Sequence, residues 1–231
     1  MREPSERVVV ITGADGGLGI AVTQAFLDAG ARVVGVSRSG RAVPPAEGRW
    51  FSVVADLTAP GRADRVIAAV QERYERVDVL LHLVGGFEGG VTVQETSNDI
   101  WQRMLDVNLN AAFFTIRAAL RAMPAAGGGR IVAIGSRTAL EPAATLSAYG
   151  ASKAALVSLI RTLALELRGS GNTANIILPS VIDTPANHAA NPAADHSRWV
   201  KPEAIARLLL WLASDASADV NGAVIPIYGR A

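Results

Sequence analysis

Tyr149 and Lys153 stand four residues apart in the run Tyr-Gly-Ala-Ser-Lys. On a helix, residues i and i+4 share one face, so the phenol and the ammonium lie side by side. A cation beside a phenol stabilises the phenolate and lowers its pKa, which makes a tyrosine usable as a general acid/base. Ser136 lies thirteen residues upstream, at the end of an apolar run, where its hydroxyl could hold a substrate carbonyl. The chemistry these residues could do is proton transfer to or from an oxygen on a small molecule.

A second constellation is Thr12-Gly13-Ala14-Asp15-Gly16-Gly17-Leu18-Gly19, between an apolar run and a helical pattern. In a strand–turn–helix setting, Gly13 permits the tight turn, Gly17 lets backbone approach a pyrophosphate, and Gly19 lets the helix pack closely. The helix start offers free N–H groups and the positive end of its dipole to phosphate. After the second strand, where an acidic residue would bind the 2′-hydroxyl of NAD, this chain has Ser37-Arg38-Ser39, with Arg41 nearby. An arginine there suits a 2′-phosphate, so NADP(H) is favoured over NAD(H). Asp15 works against the extra phosphate.

The elements that must position these groups alternate. Strands are predicted at 8–12, 32–37, 50–55, 78–84, 130–134, 174–178 and 222–227, nearly all of them continuous apolar runs. Such runs are buried on both faces, as in a parallel sheet. Helices are predicted at 18–29, 61–75, 98–123, 149–168 and 202–213, with Pro44 and Pro45 marking a loop and 184–199 read as irregular. The pattern is an α/β, doubly wound Rossmann fold: a seven-stranded parallel sheet with helices on both faces, in one domain over 1–231.

Composition narrows the rest. Half of the 231 residues are hydrophobic, which excludes a disordered chain. There is no cysteine, so no disulfide scaffold, and with three histidines a metal site is not expected. A net charge of +1 argues against a nucleic-acid partner. No apolar stretch reaches the ~18–20 residues of a membrane span, and no signal-peptide pattern is present, so a cytoplasmic protein without a membrane partner is expected. Of the 22 basic residues only Lys153 and Lys201 are lysines, and Lys201 reads as a solvated residue before the last helix.

Taken together, the sequence resembles the short-chain dehydrogenase/reductase family. Thr-Gly-x-x-x-Gly-x-Gly at 12–19, Asp56 in Ala-Asp-Leu, Asn108 in Asp-Val-Asn-Leu, Ser136, Tyr-x-Ala-Ser-Lys at 149–153, and Pro179 with Thr184 carry the likeness. The resemblance implies that Tyr149 exchanges a proton with substrate, Ser136 orients the substrate oxygen, Lys153 holds the nicotinamide ribose, and Asn108 holds a relay water. It further implies dinucleotide contacts from Asp15, Leu18, Ser37, Arg38, Asp56, Leu57, Gly85, Pro179, Val181, Ile182 and Thr184, and a homotetramer or homodimer built through residues 98–123 and 149–168.

The chain departs from that family where Asn-Asn-Ala-Gly is replaced by His82-Leu83-Val84-Gly85 and Pro-Gly by Pro179-Ser180; His82 reads as a packed strand residue. Residues 85–90 and 178–199 are locally similar to quinonoid dihydropteridine reductases, although those proteins carry an acidic residue where Arg38 stands and generally lack the counterpart of Ser136. Three loops (85–93, 137–147 and 181–199) should form the substrate pocket, with Phe87, Arg137, Leu146 and Trp199 among its walls. The expected partner is a small to medium carbonyl or alcohol. The reading from another class is a dinucleotide-binding regulator without turnover.

Overall fold

The structure, a computed structural model, describes residues 6–40, 48–124 and 127–230. Arg41, Pro44 and Pro45 lie outside the described residues. The apolar runs become seven parallel strands: β1 (Val8–Thr12), β2 (Arg32–Ser37), β3 (Trp50–Val54), β4 (Val79–His82), β5 (Arg130–Ile134), β6 (Thr173–Pro179) and β7 (Val224–Ile227). Their order is β3-β2-β1-β4-β5-β6-β7. The order reverses between β1 and β4, and in open parallel sheets ligands bind outside the strand ends at such a point.

Every residue of β1, β4, β5 and β6 is buried. One face packs against α2 (Arg62–Tyr74), α4 (Ala111–Ala122) and α5 (Ser147–Glu166), the other against α1 (Gly17–Asp28) and α7 (Pro202–Leu212). Fully buried side chains such as Ile11, Leu80, Leu81, Ile131 and Ile176 each contribute about 1.5–3 kcal/mol through removal from water.

Two expectations need correction. Residues 98–123 are not one regular helix: α3 (Asn98–Leu105) passes through a π turn (Asp106–Asn110) into α4. The widened turn surrounds buried Asn108, whose side chain is bound outside the helix. Residues 184–199 are not irregular throughout, since Thr184 caps a short helix α6 (Pro185–Ala190) with proline in its first turn, and a 3-10 turn follows at His196–Arg198.

At the opposite end of the sheet, two buried guanidiniums share one carboxylate. Arg7 pairs with Asp215 and donates to the Gly128 carbonyl at 3.2 Å. Arg130 lies 3.5 Å from Asp215 and donates to the carbonyls of Gly129, Gly171 and Ser214. Asp215→Ala would leave both cations buried with the shared charge gone, so a loss of about 3–5 kcal/mol in denaturant unfolding is expected. A loss below about 1 kcal/mol, the range of an exposed pair, would show that the carbonyls alone support them.

Candidate active site

The glycine loop leaves β1 at Thr12. Gly13 adopts a left-handed φ of +69° and donates to the Val36 carbonyl at 2.8 Å. Within α1, a Cβ on Gly19 would stand 2.0 Å from the Gly13 carbonyl oxygen, so the helix start presses directly on the turn. A Cβ on Gly17 would meet Thr184 at 2.8 Å. Residues far apart in sequence are thus brought together: the loop after β1 faces the cap of α6.

Beside this turn is a cavity of about 230 Å³ lined by Gly13, Asp15, Ser37, Arg38, Asp56, Leu57 and Gly85 among others. The Thr58 hydroxyl and N–H donate to Asp56 at 2.7 and 3.0 Å and hold its carboxyl below the usual carboxylate range, with Arg38 and Arg62 adding to the effect. The Ser39 hydroxyl donates to Asp15, so the acidic group of the glycine loop is tied to the end of β2. The close-fitting glycines, the free helix start and the flanking cavity fit a dinucleotide, and residues 13–19 with Arg38 and Asp56 would hold it.

At the end of β5 the Ser136 Oγ accepts from the Thr138 N–H at 3.3 Å and lies 2.9 Å from the Thr138 hydroxyl. Tyr149, in the first turn of α5, has the Ser136 hydroxyl near enough to act on its phenol. One turn on, Lys153 is buried and its Nζ donates to the Ile134 carbonyl at 3.1 Å. Asn108 is fully buried: its Oδ1 accepts from the Gly86 N–H and its Nδ2 donates to the Gly86 carbonyl, both at 3.0 Å, and to Ser152 Oγ at 3.1 Å. Ser152 in turn donates to the Tyr149 carbonyl at 2.8 Å. A Cβ on Gly85 would be 3.0 Å from both Asn108 Oδ1 and Lys153 Nζ, which places Gly85 against both.

The electrostatics differ from the spacing argument. Burial pushes the Tyr149 phenol up, opposed by the nearby Ser136 hydroxyl. Burial also pushes Lys153 down to about 8. The ammonium is directed at the Ile134 carbonyl, so without other groups the phenol is a proton donor at neutral pH, not a readily ionised base.

Thr138 and Ser152 are supporting groups that the sequence reading did not single out. Ser152 lies inside the Tyr-to-Lys run and was findable there. Thr138 had only its distance of two residues from Ser136 to mark it. His82 is a packed strand residue, fully buried, and burial takes it down to about 3. The Thr12 hydroxyl accepts the Leu83 and Val84 N–H groups and so donates its proton to His82 Nδ1 at 3.2 Å.

Of the expected pocket walls, Phe87 meets Tyr149 edge-on with ring centres 5.0 Å apart, and Leu146 packs against Gly89. Arg137 is engaged elsewhere, paired with Glu141 at 2.6 Å and stacked over Tyr228. Trp199 packs against His196 and His188. Pro179 ends β6, Val181 is exposed, and Ile182 pairs with Val200. Among the described residues no cluster of His, Asp or Glu could hold a metal, and no helix is long and apolar enough to cross a membrane.

Residues 7–195 match the family model described as short chain dehydrogenase. A galactitol 2-dehydrogenase of Rhizobium johnstonii is 33% identical, over 98% of this chain and 95% of that protein. A cis-4-hydroxycyclohexanecarboxylate dehydrogenase of Sinomonas cyclohexanicum is 31% identical, over 97% of this chain and 96% of that protein. A mutant short-chain dehydrogenase/reductase of Serratia marcescens superposes with a TM-score of 0.91 at 27% identity, covering 99% of both chains. The local likeness to dihydropteridine reductases draws no support from these relatives. With a tyrosine, a serine and a lysine at the strand ends beside a tight glycine turn, and with these matches over nearly the whole chain, the chain belongs to the short-chain dehydrogenase/reductase family of oxidoreductases.

Proposed function

We propose that the protein transfers a hydride between NADP(H) and a small to medium carbonyl or alcohol, with Tyr149 as general acid/base. The observation that carries this is Tyr149 placed beside Ser136 at the end of β5, with buried Lys153 one helical turn away. The dinucleotide supplies the hydride; the chain supplies position and a proton. Ser136 shares the substrate oxygen with Tyr149 and is itself aimed by Thr138. Lys153 keeps a positive charge beneath the site. Asn108, clamped on Gly86, fixes the loop that carries Phe87 next to the reacting oxygen. A regulator without turnover would have no use for this acid/base set. Relatives named for galactitol and a hydroxycyclohexanecarboxylate support a hydroxylated substrate.

Arg38 supports the NADP(H) preference: it lines the cavity and its charge acts on Asp56. Wild type should oxidise NADPH faster than NADH with a panel of ketones. Arg38→Asp should lower kcat/KM for NADPH by about tenfold or more, the equivalent of one lost charge-assisted contact of about 1.5–3 kcal/mol. A wild-type preference for NADH would overturn the assignment. Exposed Phe113 on α4 and Leu165 on α5 support a homodimer or homotetramer through those helices.

A further inference from the structure

Residues 181–201 close on themselves at their base. Ile182 bridges to Val200 in parallel, the Val200 N–H donates to the Val181 carbonyl at 2.9 Å, and the Asp183 N–H donates to the Val200 carbonyl at 2.8 Å. One step further, the two oxygens of the Asp183 carboxylate are divided between two donors: Lys201 Nζ on Oδ2 and His188 Nε2 on Oδ1. These two hydrogen bonds, Lys201 first, hold its carboxyl below the usual carboxylate range. The side chain is 11% exposed although the segment is on the surface. This corrects the reading of Lys201 as merely solvated: the second lysine of the chain has a specific partner eighteen residues away.

The enclosed segment is packed by its own side chains. The His188 and His196 rings lie 3.9 Å apart and 31° from parallel, and Trp199 follows at 4.3 Å from His196. His196 Nε2 donates to the Asn191 carbonyl at 2.8 Å, and Asn187 Nδ2 donates to the Ile182 carbonyl at 2.7 Å. So α6 is tied to residues 182 and 183 by two side chains, Asn187 and His188. Between those anchors and the helix stands Thr184, which caps α6 and faces Gly17 of the glycine loop.

We infer that Asp183, gripped by Lys201 and His188, is a positioning residue that seats Thr184 against the glycine loop and holds the 185–199 segment in place beside the active site. The grip acts on binding; the chemical step stays with Tyr149. Its kinetic consequences rest on the function proposed above, whereas its structural consequence does not.

The test is Lys201→Met, with Lys201→Arg as the conservative variant, followed by hydrogen exchange and by kinetics. Lys201 is well exposed and its partner is not, so the effect belongs at the upper end for a surface pair. Lys201→Met should speed exchange across 185–199 and raise KM for dinucleotide and substrate about fivefold, with a smaller change in kcat. Lys201→Arg should restore both, and high salt should weaken wild type towards the Met variant. Unchanged exchange in 185–199 would overturn the grip itself. Faster exchange there with unchanged KM values would overturn its role in positioning. If wild type shows no turnover on any substrate, the proposed function fails, and exchange still decides the grip.

Discussion

Tyr149→Phe is expected to lower turnover by about a thousandfold, within the range for loss of a positioned general acid, while dinucleotide affinity stays near wild type. The substitution removes only the hydroxyl. The ring keeps its edge-on contact with Phe87 at 5.0 Å, and α5 keeps the packing that holds Lys153 on the Ile134 carbonyl. Retention of a tenth of wild-type turnover would remove Tyr149 from the proton transfer. Direction and pH supply a second check on the same group. Burial holds the phenol protonated at neutral pH, which suits donation to a carbonyl, so reduction should be the better-supported direction there. Lys153 loses its proton first as pH rises, from about 8. The kcat/KM for reduction, which reports the free enzyme, should therefore bend downward near that pH. Oxidation, which needs Tyr149 to accept a proton, should instead gain as the pH approaches the phenol's own titration.

Gly19→Ala should abolish dinucleotide binding and destabilise the fold by about 3 kcal/mol, the upper part of the usual overpacking range. The new methyl would lie 2.0 Å from the Gly13 carbonyl oxygen and 2.8 Å from two backbone atoms of Ala14. No side chain can swing aside, so either α1 lifts from the sheet or the turn opens. Both movements spoil the N–H groups presented to a pyrophosphate. Gly17→Ala meets the Thr184 side chain instead, and should be milder because the clash is with one side chain at 2.8 Å and not with backbone at 2.0 Å. Denaturant unfolding and a dinucleotide fluorescence titration measure the two effects. A Gly19→Ala protein with wild-type stability and affinity would show that the close approach is not required.

Strand positions were legible because a doubly covered parallel strand must be apolar throughout, and β1, β2 and β5 fall on the expected residues. The glycine turn, Ser136, Tyr149 and Lys153 were legible because the conformational or chemical need is local. What was not legible depends on distant partners. The π turn at 106–110 follows from Asn108 reaching Gly86, and nothing in the helical pattern of 98–123 announces that clamp. The i,i+4 spacing placed the ammonium near the phenol but could not tell that it would turn to the Ile134 carbonyl. Helix α6 was missed for a different reason. Thr184-Pro185 is a start signal in itself, and the polar, proline-bearing stretch around it masked that signal.

The strand order has a consequence for how the chain is made. β1, synthesised before the other six strands of the sheet, ends in its middle with β2 and β3 on one side. A nascent chain can assemble that three-stranded half early, but the far edge of β1 stays open until β4 emerges. Each later strand then adds to a growing open edge, and each waits for a crossover helix. Arg7 and Arg130 must likewise wait for Asp215, which in the case of Arg7 lies 208 residues later. Asp215, made after the first six strands, therefore locks Arg7 and Arg130 in place. Arrested or truncated chains ending before residue 215 should display an unpaired parallel edge and two uncompensated guanidiniums, the kind of species that recruits chaperones.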